Sequence, residues 1–245
     1  MRISRLQRGP GWRWLRTSTA HVVAMKVLLS WSTGKDSAWA LHLLRQQGVD
    51  VVGLFTSVNS AFDRVAMHGV RRELVQAQAE AAGLPLAELP IPNPCSNAQY
   101  QEIMGTFVAR ARAEGVTGMA FGDLFLTDIR AYREERLAGT GITPLFPVWD
   151  FPTDALAAQM HAAGVRATIT CLDPRRIPQH FAGRDFYEVT HAGLPGVDPC
   201  GENGEFHTFC SAGPMFRRTI PVATGEVVQR DGFVFCDLLP AAERS

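Results

Sequence analysis

Ser30-Trp31-Ser32-Thr33-Gly34-Lys35-Asp36-Ser37 constrains this chain more than any other stretch. It follows an apolar run, 26–31, that reads as a buried strand. It leads into a segment, 36–47, with apolar residues at Ala38, Leu41, Leu43 and Leu44 and with Gly48 beyond its end, which reads as a helix. A turn of small residues between strand and helix aims backbone N–H groups and the positive end of the helix at one point, which makes an anion site. The hydroxyls of Ser32, Thr33 and Ser37 add donors, and Lys35 adds charge. The spacing is not that of a Walker loop, because Asp36 stands where the magnesium-binding hydroxyl would be. A capped turn alone would need only one of these side chains.

The pattern repeats downstream. Val51 to Phe55 reads as a strand, 69–82 as a helix stopped by Gly83, and Leu86 to Leu89 as a strand. Residues 97–114 read as a helix stopped by Gly115, and Met119-Ala120-Phe121 as a strand running into Gly122-Asp123. Such alternation predicts an α/β fold, a doubly wound parallel sheet with helices on both faces. Ligands of such sheets bind at the carboxyl ends of the strands, where the Ser30–Ser37 loop falls. Pro144, Pro147 and Pro152 mark a break. Beyond it come a helix at 153–163, a strand at 166–171, a Pro/Gly-rich stretch at 193–204 and strand-like pieces at 206–210, 215–222 and 232–236. The expected organisation is therefore an anion-binding α/β domain over 25–147 and a smaller α+β domain over 148–240.

Residues 1–24 carry five arginines and no acid, unlike the rest. They read as an extension ahead of a natural start at Met25, with a transit peptide as the rival. Without them the chain has 19 basic and 24 acidic residues, net −5, which argues against general nucleic-acid binding. No apolar run approaches the roughly 20 residues of a membrane span. Five scattered cysteines with no C-x-x-C point to a reducing, cytoplasmic setting rather than to a disulfide framework or a zinc ribbon. Cys200, His207 and Cys210 lack a fourth ligand at tight spacing.

Ser32 to Ser37 resembles the S-G-G-x-D-S loop of the PP-loop ATP pyrophosphatases, with Thr33 in place of the first glycine, a residue that tolerates positive φ far better. Two further segments narrow the resemblance. One is Gly122-Asp123-Leu124-Phe125-Leu126-Thr127-Asp128-Ile129-Arg130-Ala131-Tyr132-Arg133-Glu134, followed by Gly141 to Trp149. The other is Pro199-Cys200-Gly201-Glu202-Asn203-Gly204-Glu205-Phe206-His207-Thr208, followed by Gly213 to Phe216. Together they resemble the diphthine–ammonia ligase family over roughly residues 25–236. Phe206 stands for the usual tyrosine and His207 for the usual acid.

The resemblance implies a PP-loop (HUP-like) fold and an AMP-forming ligase that adenylates a carboxylate and lets ammonia displace AMP. The family's acceptor is diphthine, a modified histidine of a translation elongation factor; the two replacements leave room for another acceptor. ATP and Mg²⁺ are the implied cofactors. Ser30, Ser32, Thr33, Gly34, Lys35, Asp36 and Ser37 are expected to bind ATP, together with Phe55, Thr56, Gly122 and Asp123. Asp36 and Asp123 are the candidates for magnesium. Asp128, Arg130, Arg133, Glu202, Asn203, Glu205 and Thr208 are expected at the substrate. Lys35, Asp36, Glu205 and His207 are expected in catalysis, with His207 as base toward ammonia. Arg130 and Arg133 also suit a solvated face paired with Glu134 and Glu135. The expected partners are ATP, free ammonia, a carboxylate acceptor and a second copy of the chain, with no membrane. The rival functions are a PP-loop enzyme of tRNA modification and a non-catalytic nucleotide-binding module.

Overall fold

Parallel pairing with two neighbours makes β1 (Lys26–Ser30) the centre of the first sheet: β2 (Asp50–Asn59) lies on one side and β5 (Gly118–Ala120) on the other. The computed structural model describes residues 25–65 and 69–242, so the expected extension 1–24 lies outside the described residues. β4 (Leu86–Ile91) adds in parallel beyond β2, and β6 (Thr143–Leu145) adds in parallel beyond β5. The two-residue β3 (Arg64–Val65) turns back antiparallel on the far end of β2. The parallel order is thus β4-β2-β1-β5-β6. The order reverses between β1 and β5, and the crevice of a doubly wound sheet opens at that point. Pro144 is tolerated in β6 because that strand is the edge.

Each helix has a local reason to start and stop. α1 (Lys35–Gln46) begins behind Gly34 in extended conformation. α2 (Arg72–Ala82) stops at Gly83, which is left-handed at φ 67°. α3 (Asn97–Ala113) opens with a reciprocal capping box between Ser96 and Gln99. α3 and α4 (Thr127–Leu137) cover one sheet face through a core of Phe55, Phe107, Val108, Met119, Phe121 and Leu137.

α1 and α2 serve the opposite face, and α1 is buried nearly all round. A second layer explains this. α5 (Thr153–Ala162), β7 (Arg166–Leu172), α6 (Phe186–Ala192), β8 (Phe206–Ala212), β9 (Val222–Arg230) and β10 (Phe233–Pro240) follow. Their antiparallel sheet runs β8-β7-β10-β9. One continuous apolar cluster joins Leu29, Trp31, Leu41 and Leu74 to Ile169, Phe186, Phe209 and Met215. The expected strand at 215–222 is not formed. Met215 and Ile220 are plugs in a loop, and the strand starts at Val222. β9 is an exposed edge, so its sequence carries no alternation of apolar and polar residues to reveal it.

Gln78 joins the layers at the loop after β1. Its side chain accepts from Trp31 Nε1 at 2.8 Å and donates to the carbonyls of Thr33 at 2.9 Å and Cys210 at 2.6 Å. Gln78 is fully buried, so no water can replace it. Buried groups left unsatisfied cost about 1–3 kcal/mol each. Gln78→Leu takes the partner from the Trp31 N–H and the Cys210 carbonyl, while the Thr33 carbonyl keeps the Cys210 N–H, and should lower the urea-unfolding free energy by roughly 2 kcal/mol or more. A loss below about 0.5 kcal/mol, the ordinary surface value, would contradict this role.

Candidate functional site

The loop after β1 folds back on itself through its own hydroxyls. Ser32 Oγ lies 3.1 Å from Ser37 Oγ, and Ser37 Oγ donates to the Gly34 carbonyl at 3.0 Å. Thr33 does adopt the backbone usually reserved for glycine, with φ 73°. It is held there because its carbonyl accepts from Gln78 and from the Cys210 N–H at 2.9 Å. The Lys35 N–H donates to Thr208 Oγ1 at 3.2 Å, so β8 clamps the start of α1.

The loop after β5 approaches from the other side. A Cβ on Gly122 would lie 2.9 Å from the Ser37 nitrogen and 3.0 Å from its Cα, so only glycine lets the two loops meet. The third wall is the segment 198–205. Asp198 braces it by accepting from the N–H groups of Cys200 and Glu202 and from Thr153 Oγ1.

These walls enclose a cleft of about 230 Å³ lined by Ser30, Ser32, Gly34, Lys35, Asp36 and Ser37 from the first loop. Gly122, Asp123 and Arg133 line it from the second, and Glu202, His207 and Thr208 from the third. A neighbouring space of about 350 Å³ shares Ser30, Ser32 and Arg133 and continues over Phe55, Thr56, Ser57 and Leu89. One end is polar and the other largely apolar, as a triphosphate and a base would require.

Carboxylates dominate the polar end. Asp36 Oδ1 and Asp123 Oδ2 are buried without a hydrogen-bond partner. Burial pushes the Asp123 carboxyl above its ordinary range, and Arg133, 3.6 Å away, opposes the shift only in part. Burial, with Asp36 and Asp123 adding like charge, lifts Glu202 to about 7 against the pull of the Leu124 N–H at 2.8 Å. Among the described residues no three His, Cys, Asp or Glu side chains form a ready metal cage. The set instead fits a magnesium ion held by one or two carboxylates and completed by substrate phosphates. Burial pushes the His207 imidazole below its usual value and the Lys35 charge adds to that, so His207 is neutral near pH 7.

The structure separates some expected site residues from the cleft. Glu205 is fully buried beneath the third wall, where it takes Arg176 at 2.8 Å and the Asp198 N–H at 3.1 Å. It braces the segment rather than lining the cleft, and Asn203 beside it donates to Glu205. Arg130 and Arg133 part company along α4. Arg133 reaches the cleft, whereas Arg130 pairs with Glu134 at 2.8 Å and stacks on Phe146 and Trp149. Asp128 is exposed on α4, away from the cleft. Lys35 does line the cleft, but its Nζ is taken up by Asp36 Oδ2 at 2.9 Å and the Cys200 carbonyl at 2.5 Å, with Phe186 and Phe206 around it.

Residues 25–138 match the family described as the diphthamide synthase N-terminal domain. Beyond it, similarity runs through the second layer as well. The diphthine–ammonia ligase of Bos taurus is 25% identical over 235 residues, covering 86% of this chain and 88% of that protein. The human and Danio rerio enzymes of the same name are each 25% identical, covering 83% and 84% of this chain and 85% and 90% of their own lengths. The first two walls of the cleft lie within the matched residues 25–138; the third wall comes from the part that follows them.

Glu202 gives a pH test. A carboxyl whose folded pKa is raised makes the folded state bind the proton more tightly. The cost of ionising it therefore grows as pH rises from about 4.3 in the unfolded chain toward about 7. Glu202→Gln removes that cost. Without nucleotide or divalent ions, the variant's melting temperature relative to the parent should rise between pH 5 and pH 8. A pH-independent offset would contradict the shift.

Proposed function

We propose that this chain is an AMP-forming amide ligase of the diphthine–ammonia type. The observation that carries the proposal is the joining of two unlike spaces at Ser30, Ser32 and Arg133, one polar and faced by carboxylates, one apolar and at the strand ends. ATP fits with its base toward Phe55 and Thr56 and its phosphates against Ser32 to Ser37. Its α-phosphate then lies near Arg133. Asp36 and Asp123 would hold Mg²⁺, which would offset phosphate charge there.

The chain's own groups have distinct tasks. The start of α1 and the hydroxyls of Ser32 and Ser37 stabilise the charge that builds on departing pyrophosphate. Arg133 orients the acceptor carboxylate for attack on the α-phosphorus, which forms the acyl–O–P bond and releases pyrophosphate. Ammonia then attacks the acyl carbon, AMP leaves with the bridging oxygen, and neutral His207 takes the surplus proton from nitrogen. Lys35 acts from below by fixing Asp36 and the third wall, and Glu205 fixes that wall from its other side. The −5 net charge of the chain after residue 24 and the absence of a C-x-x-C motif weigh against the tRNA-modifying alternative. No helix of the described residues is long and apolar enough to cross a membrane.

Two measurements test the reading. With an acceptor found by screening carboxylates and diphthine-bearing elongation factor for stimulated turnover, chromatography should show AMP and pyrophosphate. Acceptor-dependent ADP would overturn the proposal. His207→Ala should keep its affinity for α,β-methylene-ATP within about twofold and lose roughly 10²-fold or more in AMP formation, the range of a general base. Turnover equal to the parent would remove His207 from the mechanism.

A further inference from the structure

The antiparallel sheet has two edges, and the chain treats them differently. At β8 the Cys210 N–H donates to the Thr33 carbonyl and the Cys210 carbonyl accepts from Gln78, so the first layer covers that edge. At β9 no backbone bond of 222–230 runs to anything but β10 among the described residues. A bare edge invites a further strand, and folded proteins usually blunt it with lysine or proline. β9 has neither, and it exposes Val227 at 51% and Val228 at 39%.

The hairpin turn determines which backbone groups are free. Asp231 and Gly232 have φ 52° and 84°, the two positive values of a type I′ turn, with Arg230 and Phe233 as the flanking hydrogen-bonded pair. Antiparallel pairs alternate. Arg230 and Val228 therefore direct their N–H and C=O to β10, and Val227 and Gln229 aim theirs outward. The irregular register of the two strands lies beyond Cys236, so 227–230 is regular.

A second β9 can pair only where outward groups meet outward groups. A two-fold axis at Val228 meets that condition, because Val227 then faces Gln229 of the second copy and the two exchange both bonds. Val228 faces its own image, and Glu226 faces Arg230 of the second copy on either side of the axis. Glu226, Val228 and Arg230 share one face, since all three line one recess with Phe235. In such non-hydrogen-bonded pairs the side chains stand closest. Glu226 has no ion-pair partner among the described residues. Arg230 lies 5.0 Å over the Phe235 ring and 3.7 Å from the exposed Asp231. An axis at Val227 would set Glu226 against Val228 and Arg230 against Thr224, and an axis at Gln229 would set Arg230 against Val228. Only the axis at Val228 matches both charges.

We propose that two copies of this chain associate through β9, antiparallel about Val228, so that their four-stranded sheets become one. The interface is isologous, and each contact occurs twice. The cleft, which meets this sheet at β8 on its other edge, stays open. The proposal does not rest on the ligase reading.

Sedimentation equilibrium of the full chain at about 20 μM, above low-micromolar dissociation constants, should give twice the 26.9 kDa of one chain. Glu226→Arg and Arg230→Glu each set like charges across the axis and should weaken association roughly tenfold or more. An equimolar mixture of these two variants has opposite charges at both crossings, so it should recover the parent's affinity within about threefold. Val227→Pro removes an outward N–H that β10 does not use. It should be monomeric, with its far-UV circular dichroism unchanged. A monomeric parent overturns the proposal and leaves the edge to residues 1–24 or to another protein. A dimer indifferent to the charge reversals or to Val227→Pro, or a mixture no tighter than its components, overturns it as well.

Discussion

Lys35 is the constraint around which the rest is arranged. Its ammonium is buried to 1% exposure, and a buried charge is tolerable only when paired and hydrogen-bonded. Burial pulls its pKa down, but the adjacent Asp36 carboxylate more than restores it, so Lys35 stays charged. Its partners come from both layers: Asp36 from the first turn of α1, and the Cys200 carbonyl from the segment after α6. Removing one partner of such a pair typically costs about 3–5 kcal/mol. The second layer must therefore be seated before the first-layer loop has a stable form. The same seating brings Glu202 and His207 to face Asp36 and Asp123.

This dependence explains how a strained loop is maintained. Thr33 at φ 73° is costly for a β-branched residue, of order 1–3 kcal/mol. Gln78 from α2 and Cys210 and Thr208 from β8 hold the segment from two elements, so the strain cannot relax by a local turn of the chain. An anion site needs N–H groups that converge without reorganising when phosphate arrives. The brace beneath the loop meets that need.

The parallel sheet was legible in the sequence because strand and helix periods alternate cleanly from Met25 to Phe121 and because glycines mark the helix ends. The loop Ser32–Ser37 was legible because so many donors follow one buried strand. The expected site residues that lie outside the cleft share a cause. Glu205 and Asp128 look functional by type, but whether a carboxylate faces a cleft or a neighbouring arginine depends on contacts distant in sequence. Arg176 decides this for Glu205. Arg130 and Arg133 differ by one helical turn, and only the positions of Phe146, Trp149 and Asp123 separate their roles. Gln78 left a usable trace. It is a polar residue three and four positions from Val75 and Leu74, on the apolar face of α2, and a polar residue there has to be satisfied from elsewhere. Asp198 left none, because a capping acid in a Pro/Gly-rich stretch resembles any other.

The central claim is that this cleft activates a carboxylate by joining it to the α-phosphorus of ATP. Isotope transfer tests it most directly. An acceptor that supports turnover, labelled with ¹⁸O in its carboxylate, should pass one labelled oxygen to AMP, read by mass spectrometry of the nucleotide, with pyrophosphate unlabelled. Label in inorganic phosphate, or AMP free of label, would contradict the account.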